Sequence, residues 1–135
     1  YASAPAPIAE GIGAQQDLRG RTLPFAPPVS ATLTPTLEIP FAWLTLVASI
    51  DIQFQDRHYS DTDLDPSTRI PATTTYAAQL AVRSPDGHWS VTLGGTNLTD
   101  ERVLNQVIDS ALFPGTYIPT QQPGRSVFGM VSLRW

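Results

Sequence analysis

Val29-Ser30-Ala31-Thr32-Leu33-Thr34-Pro35-Thr36-Leu37-Glu38-Ile39 alternates along its whole length. The odd positions are Val29, Ala31, Leu33, Pro35, Leu37 and Ile39, and the even ones are Ser30, Thr32, Thr34, Thr36 and Glu38. Period two puts the apolar set on one face of a strand and the polar set on the other. A helix of this sequence would carry no apolar stripe.

Four more runs follow the same rule. Leu44 to Phe54 has its apolar residues at even positions, with Thr45, Val47, Ser49, Asp51 and Gln53 opposite, and a short Pro40-Phe41-Ala42 turn precedes it. Thr74 to Arg83 puts Tyr76, Ala78, Leu80 and Val82 on one face. Ser84-Pro85-Asp86-Gly87 is a strong turn sequence. It leads into a run with Trp89, Val91, Leu93 and Gly95 on one face. The last run sets Val127, Gly129, Val131, Leu133 and Trp135 against a less polar face of Ser126, Phe128, Met130, Ser132 and Arg134. The predicted fold is all-β, an antiparallel up-and-down sheet.

Each run is about ten residues, nearly twice the usual strand of a soluble domain and matched to a tilted crossing of a bilayer. The connections alternate. Short turns join runs one to two and three to four, whereas Gln55 to Thr73 and Leu98 to Arg125 are long loops, read as unstructured. Short turns at one end and long loops at the other describe an outer-membrane barrel. About five strands form an open sheet and fall short of the ~8 of the smallest membrane barrels.

The aromatics sort in the same way. Trp43, Trp89 and Trp135 fall at the short-turn end, and Phe54 and Tyr76 at the other. Two aromatic belts around an aliphatic band mark the two interfaces of a membrane. A soluble β-sandwich would also alternate, but its strands are shorter and its turns more evenly spaced.

Composition narrows the function classes. The chain has 135 residues, 15% of them charged, with 13 Pro, 9 Gly and no Cys. Thiolate metal sites, disulfides and cysteine nucleophiles are therefore absent. The net charge is -4, and the 8 basic residues are all arginine. No basic patch suits nucleic acid, and no apolar stretch is long enough for a spanning helix. His58 and His88 have no nucleophile or second histidine arranged beside them, so an enzyme is not expected. No cofactor is expected either.

Two segments of the last third carry a family pattern. Arg83-Ser84-Pro85-Asp86-Gly87-His88-Trp89, then Val91-Thr92-Leu93, then Asn97-Leu98-Thr99-Asp100-Glu101, resembles the C-terminal end of TonB-dependent outer-membrane receptors. Pro123-Gly124-Arg125 before a final strand ending in an aromatic is similar to that family, as is Gly20-Arg21-Thr22-Leu23-Pro24-Phe25-Ala26-Pro27 at the entry to an upstream strand. The resemblance implies a 22-stranded barrel with an N-terminal plug, in the outer membrane of a Gram-negative bacterium. Residues 1–28 would then be the remnant of an extracellular loop and 29–135 the C-terminal strands. The chain would be a truncated product or an excised fragment. Expected partners are outer-membrane lipid, the rest of the barrel and plug, the TonB complex through the missing N-terminal part, and the barrel assembly machinery. Leu133 and Trp135 resemble the assembly signal of such proteins. The implied function is energised uptake of a scarce ligand such as a ferric siderophore. The alternatives are a passive porin-type channel and a soluble β-sheet binding module.

Candidate functional residues follow from this topology. Glu38, Asp51, Arg83 and Arg134 fall on polar faces and would line the lumen. Arg57, Tyr59, Arg69, Phe113 and Tyr117 lie in the long loops and are candidates for ligand contact. Asp61, Asp63 and Asp65 present a D-x-D-x-D spacing, but the glycine and glutamate of an EF-hand loop are missing. A solvated acidic loop is the expectation there, and no metal site. Asn97-Leu98-Thr99 fits a glycosylation pattern, although a strand end entering a loop accounts for it more simply.

Overall fold

The computed structural model describes residues 3–5, 15–110, 113 and 115–135. The chain divides into two compact units that interleave along the sequence. Unit 1 comprises 1–30, 55–73 and 102–122; unit 2 comprises 31–54, 74–101 and 123–135.

Unit 2 holds the alternating runs, and all five form strands. Run one is split into β3 (Ser30–Leu33) and β4 (Thr36–Pro40), both paired with β5 (Thr45–Gln55). The split falls at Pro35, which has no N–H for the ladder. Its carbonyl still accepts from Ile50 N–H at 3.1 Å. Proline is tolerated here because the strand is at the sheet edge. β8 (Thr73–Arg83), β9 (Trp89–Thr96) and β12 (Ser126–Leu133) complete the sheet in the order β12-β9-β8-β5-β3. Spatial order follows chain order, so the sheet is an up-and-down meander, with β3 and β4 at one end and β12 at the other.

The register puts the apolar sets of β4 and β5 on one face and those of β8, β9 and β12 on one face, and the Arg83–Glu38 pair on the polar side makes the two faces the same. Leu37 opposes Ala48 and Ile39 opposes Leu46. Leu80 opposes Leu93 and Val82 opposes Val91; Val91 in turn opposes Val131, and Trp89 opposes Leu133. This face is open to its surroundings, with Ile50 49%, Leu93 60% and Val131 68% exposed. Opposite residues in an antiparallel pair share a face, so one even-odd slip anywhere would have broken it.

The Ser84–Gly87 turn is closed by Gly87 N–H to Ser84 O at 3.0 Å, with Gly87 at a φ of +75°. Ser84 Oγ also accepts from Trp89 N–H at 3.1 Å. β12 is held beyond its last residue by Arg134 N–H to His88 O at 2.8 Å.

Unit 1 corrects the expectation of unstructured loops. Its described strands form three small antiparallel pairs: β1 (Ser3–Pro5) with β2 (Gln15–Asp17), β6 (His58–Tyr59) with β7 (Arg69–Ile70), and β10 (Leu104–Asp109) with β11 (Tyr117–Gln121). One 3-10 turn, Pro66–Thr68, precedes β7, with Asp65 capping it through Ser67 N–H at 2.7 Å. Leu18, Ile70, Val103 and Val107 are buried. Ser60, also buried, ties the two long loops together. Its Oγ lies 2.9 Å from both Thr68 O and Val107 O, and accepts from Val107 N–H at 2.9 Å. A hydroxyl so placed satisfies backbone groups that water would otherwise have to reach. That is why these segments hold structure without an apolar period.

Candidate functional site

Three of the five ligand-contact candidates converge. Tyr59 on β6 directly opposes Arg69 on β7, so the two share a face of that short ladder. Arg57 lies two residues before Tyr59. All three line a cavity of about 480 Å³ in unit 1, together with His58. Ala26 and Pro28 form part of its wall. The wall is held in place by backbone bonds, Phe25 N–H to Tyr59 O at 2.7 Å and Asp56 N–H to Val29 O at 2.9 Å. Asp56 also lines the cavity, but its Oδ1 already accepts from Arg57 N–H at 2.7 Å. His58 Nδ1 sits 3.3 Å from Asp56 O.

Phe113 and Tyr117 do not join this group. Phe113 is exposed, in a turn closed by Phe113 N–H to Ser110 O at 3.2 Å. Tyr117 donates its hydroxyl to Asp65 Oδ2 at 2.9 Å.

Asp65 is buried, which corrects the expectation of a wholly solvated acidic loop. Asp63, Asp65 and Asp109 bring carboxylate oxygens within 4.8 Å of one another. These are the residues that could hold a hard cation, which takes oxygen ligands. Asp65 is engaged by Ser67 N–H and Tyr117, and Asp63 accepts from Asp65 N–H at 3.1 Å. Asp109 Oδ1 is shielded from solvent and has no hydrogen-bond partner. Burial, reinforced by the charges of Asp65, Asp63 and Asp61, holds the Asp109 carboxyl above its ordinary range. Burial likewise raises Asp63. Nothing in the spacing of Asp61, Asp63 and Asp65 pointed to Asp109, because β10 brings it from the other long loop.

The polar face of unit 2 carries the residues expected to line a lumen. Arg83 donates to Glu38 across the sheet in an exposed ion pair. Asp51 accepts from Thr34 Oγ1 at 2.7 Å. Arg83 and Arg134 line one cavity of about 530 Å³, with Thr45, Ser90 and Ser132 from the same end of three strands. Trp89 borders it as well. Trp43 is exposed, and Trp135 is fully so.

The Asn97–Glu101 and Pro123–Arg125 segments meet in space. Asn97, at a φ of +48°, donates Nδ2 to Glu101 O at 2.8 Å and accepts from Glu101 N–H at 2.9 Å. Asp100 Oδ1 then accepts from Arg125 N–H at 2.9 Å. A Cβ on Gly124 would lie 2.9 Å from that same oxygen. The exit of β9 and the entry of β12 are thus built as one joint. Asn97 is used up in it, which favours the strand-end reading over a glycosylation acceptor. No protein-family model, curated protein or solved structure matches the chain.

Proposed function

We propose that this chain is the C-terminal barrel portion of a TonB-dependent outer-membrane receptor, and that the whole protein imports a scarce ligand such as a ferric siderophore. The observation that carries the reading is the single exposed apolar face that runs through β4, β5, β8, β9 and β12. Water would penalise so large an apolar surface, whereas lipid tails would not. β5 and β8 have 11 residues each, the length of a tilted bilayer crossing at ~9–11. The aromatics at both ends of the band would anchor it at the two interfaces.

On this reading the polar face lines the lumen. The Ser84–Gly87 turn is periplasmic, and the long connections Gln55 to Thr73 and Leu98 to Arg125 are extracellular. Open sheet edges require neighbouring strands from the rest of the barrel. The ligand-facing part is then unit 1, with the plug as its expected counterpart.

The membrane half of the reading is tested by depth-dependent fluorescence quenching of the chain's 3 tryptophans in lipid vesicles. Trp43, Trp89 and Trp135 are each kept singly, with the others replaced by Phe. All three are expected at one headgroup depth, quenched by shallow and not by deep quenchers. Three unrelated depths, or quenching from the aqueous phase alone, would overturn it. The import half is tested by deleting the encoding region in the source bacterium. Loss of protonophore-sensitive ferric siderophore uptake is expected, and unchanged uptake of every siderophore the cell can use counts against it.

A further inference from the structure

We propose that the cavity formed by Arg57, His58, Tyr59 and Arg69 is a subsite for an oxyanion, a carboxylate or phosphate group carried by a soluble ligand. As the capture point of an imported ligand it rests on the import reading. The binding itself stands on unit 1 alone.

Charge makes the case. The chain carries 12 acidic residues against 8 arginines, of which Arg19 and Arg83 are held in ion pairs. Here two arginines line one cavity of about 480 Å³. Among the described residues, neither forms an ion pair. The one carboxylate lining the cavity, Asp56, has an oxygen already engaged by the Arg57 backbone. Both arginines are exposed, and two guanidinium-bearing side chains at the wall of one concavity can bind planar or tetrahedral oxyanions with paired, charge-assisted hydrogen bonds. Tyr59 adds a hydroxyl donor and an aromatic surface. His58 adds an imidazole to the lining.

The backbone of the site is also held in shape before any ligand arrives. Tyr59 and Arg69 are backbone partners across the β6–β7 ladder, and Ile70, next to Arg69, is buried. The Ala26 and Pro28 wall is pinned through Phe25 and Val29. Pre-organisation of this kind lowers the ordering cost of binding.

The same oxyanion chemistry could come from a lipid headgroup, so the experiment separates the two sources. The full chain is refolded in neutral detergent micelles, and its isotope-labelled arginine side chains are followed by NMR. Citrate and inorganic phosphate are titrated in one arm, and phosphatidic acid doped into the micelles in the other. Saturable shifts of the Arg57 and Arg69 Nε–H signals with citrate or phosphate are expected, beyond those caused by equal ionic strength of sodium chloride. Arg57→Gln and Arg69→Gln should each weaken binding about tenfold or more. Arg57→Lys and Arg69→Lys keep the charge and should retain part of the affinity. Backbone signals of Ser60 and Val107 report that unit 1 remains folded in every variant.

Shifts that match sodium chloride, or that persist in the Gln variants, overturn the site. A response to phosphatidic acid alone overturns the soluble-ligand assignment. Bilayer insertion is measured on the same preparations. Saturable anion binding without insertion removes the import reading and leaves the site, whereas insertion without saturable binding removes the site alone.

Discussion

Phe128 lies with its ring over Gly94, its direct partner across the β9–β12 pair. A Cβ on residue 94 would come within 2.6 Å of the ring's Cζ. Glycine inside a strand is costly unless something needs the space, and here the ring fills it. We expect Gly94→Ala to destabilise the folded chain by about 1–3 kcal/mol through overpacking. In a Phe128→Leu background the same substitution should cost clearly less, a coupling of about 0.5–3 kcal/mol. Urea unfolding from detergent or lipid reads both. Strict additivity of the two changes would mean that the ring and the glycine are not in contact.

Facing can be tested at the middle of two neighbouring strands. Ile50 is central in β5, on the exposed apolar face. Gln79 is central in β8 and opposes Gly94, so it is on the polar face. In a membrane-inserted barrel, Ile50→Arg should cost about 2–4 kcal/mol and Gln79→Arg less than about 1. Ser49 makes a poor control, because it is buried with its Oγ unpartnered. Equal losses at residues 50 and 79, measured by unfolding from lipid, would contradict a lipid-facing apolar side.

Asp109 should give unit 1 an unusual pH response. Its carboxyl is raised by burial and then by Asp65, Asp63 and Asp61, so the native state holds the proton more tightly than the unfolded chain does. Stability therefore falls as pH rises from the ordinary carboxylate range through the raised value, and stays lower above it. Asp109→Asn removes that charge. The variant should be at least as stable as the parent at neutral pH, and its stability should slope less steeply through the acidic range. Denaturant midpoints taken across that range decide the matter, and an unchanged slope would show that another group is responsible.

The sheet was legible because its five runs obey one rule that only a two-faced strand satisfies. Even the parity flip between Leu37 and Leu46 agrees with the observed register. Unit 1 was not legible for a physical reason. In β10, Val107 is buried while its neighbour Ile108 is exposed, and apolar residues occur at both parities of Leu104–Asp109. Periodicity has nothing to detect there. β6 and β7 have 2 residues each, too few for any pattern. The Arg57 and Tyr59 spacing suggested a shared side, but the pairing that adds Arg69 depends on a register no local signal encodes. Asp109 meets Asp63 and Asp65 because the two long loops are tied together, by Ser60 to Val107 and by Tyr117 to Asp65.

The joint between Asn97 and Glu101 separates architecture from ligand contact. Asn97 and Asp100 have positive φ values of +48° and +56°, which side chains other than Asn, Asp and Gly rarely adopt. The Asn97 amide clamps the Glu101 backbone at both ends. Asn97→Ala loses the clamp and meets the backbone strain, and should cost about 1–2 kcal/mol. Asn97→Gly loses the clamp but not the conformation, and should cost less than Asn97→Ala. Asp100→Ala frees the Arg125 N–H and should loosen the entry to β12. On the proposed reading as part of an outer-membrane receptor, these variants, made in the whole protein, should reduce the amount of heat-modifiable barrel in the outer membrane. The molecules that do insert should bind ligand normally. Both quantities are measured on the same cells, by gel shift and by surface binding. Full insertion with weakened binding would place Asn97 in the ligand site instead of the joint between β9 and β12.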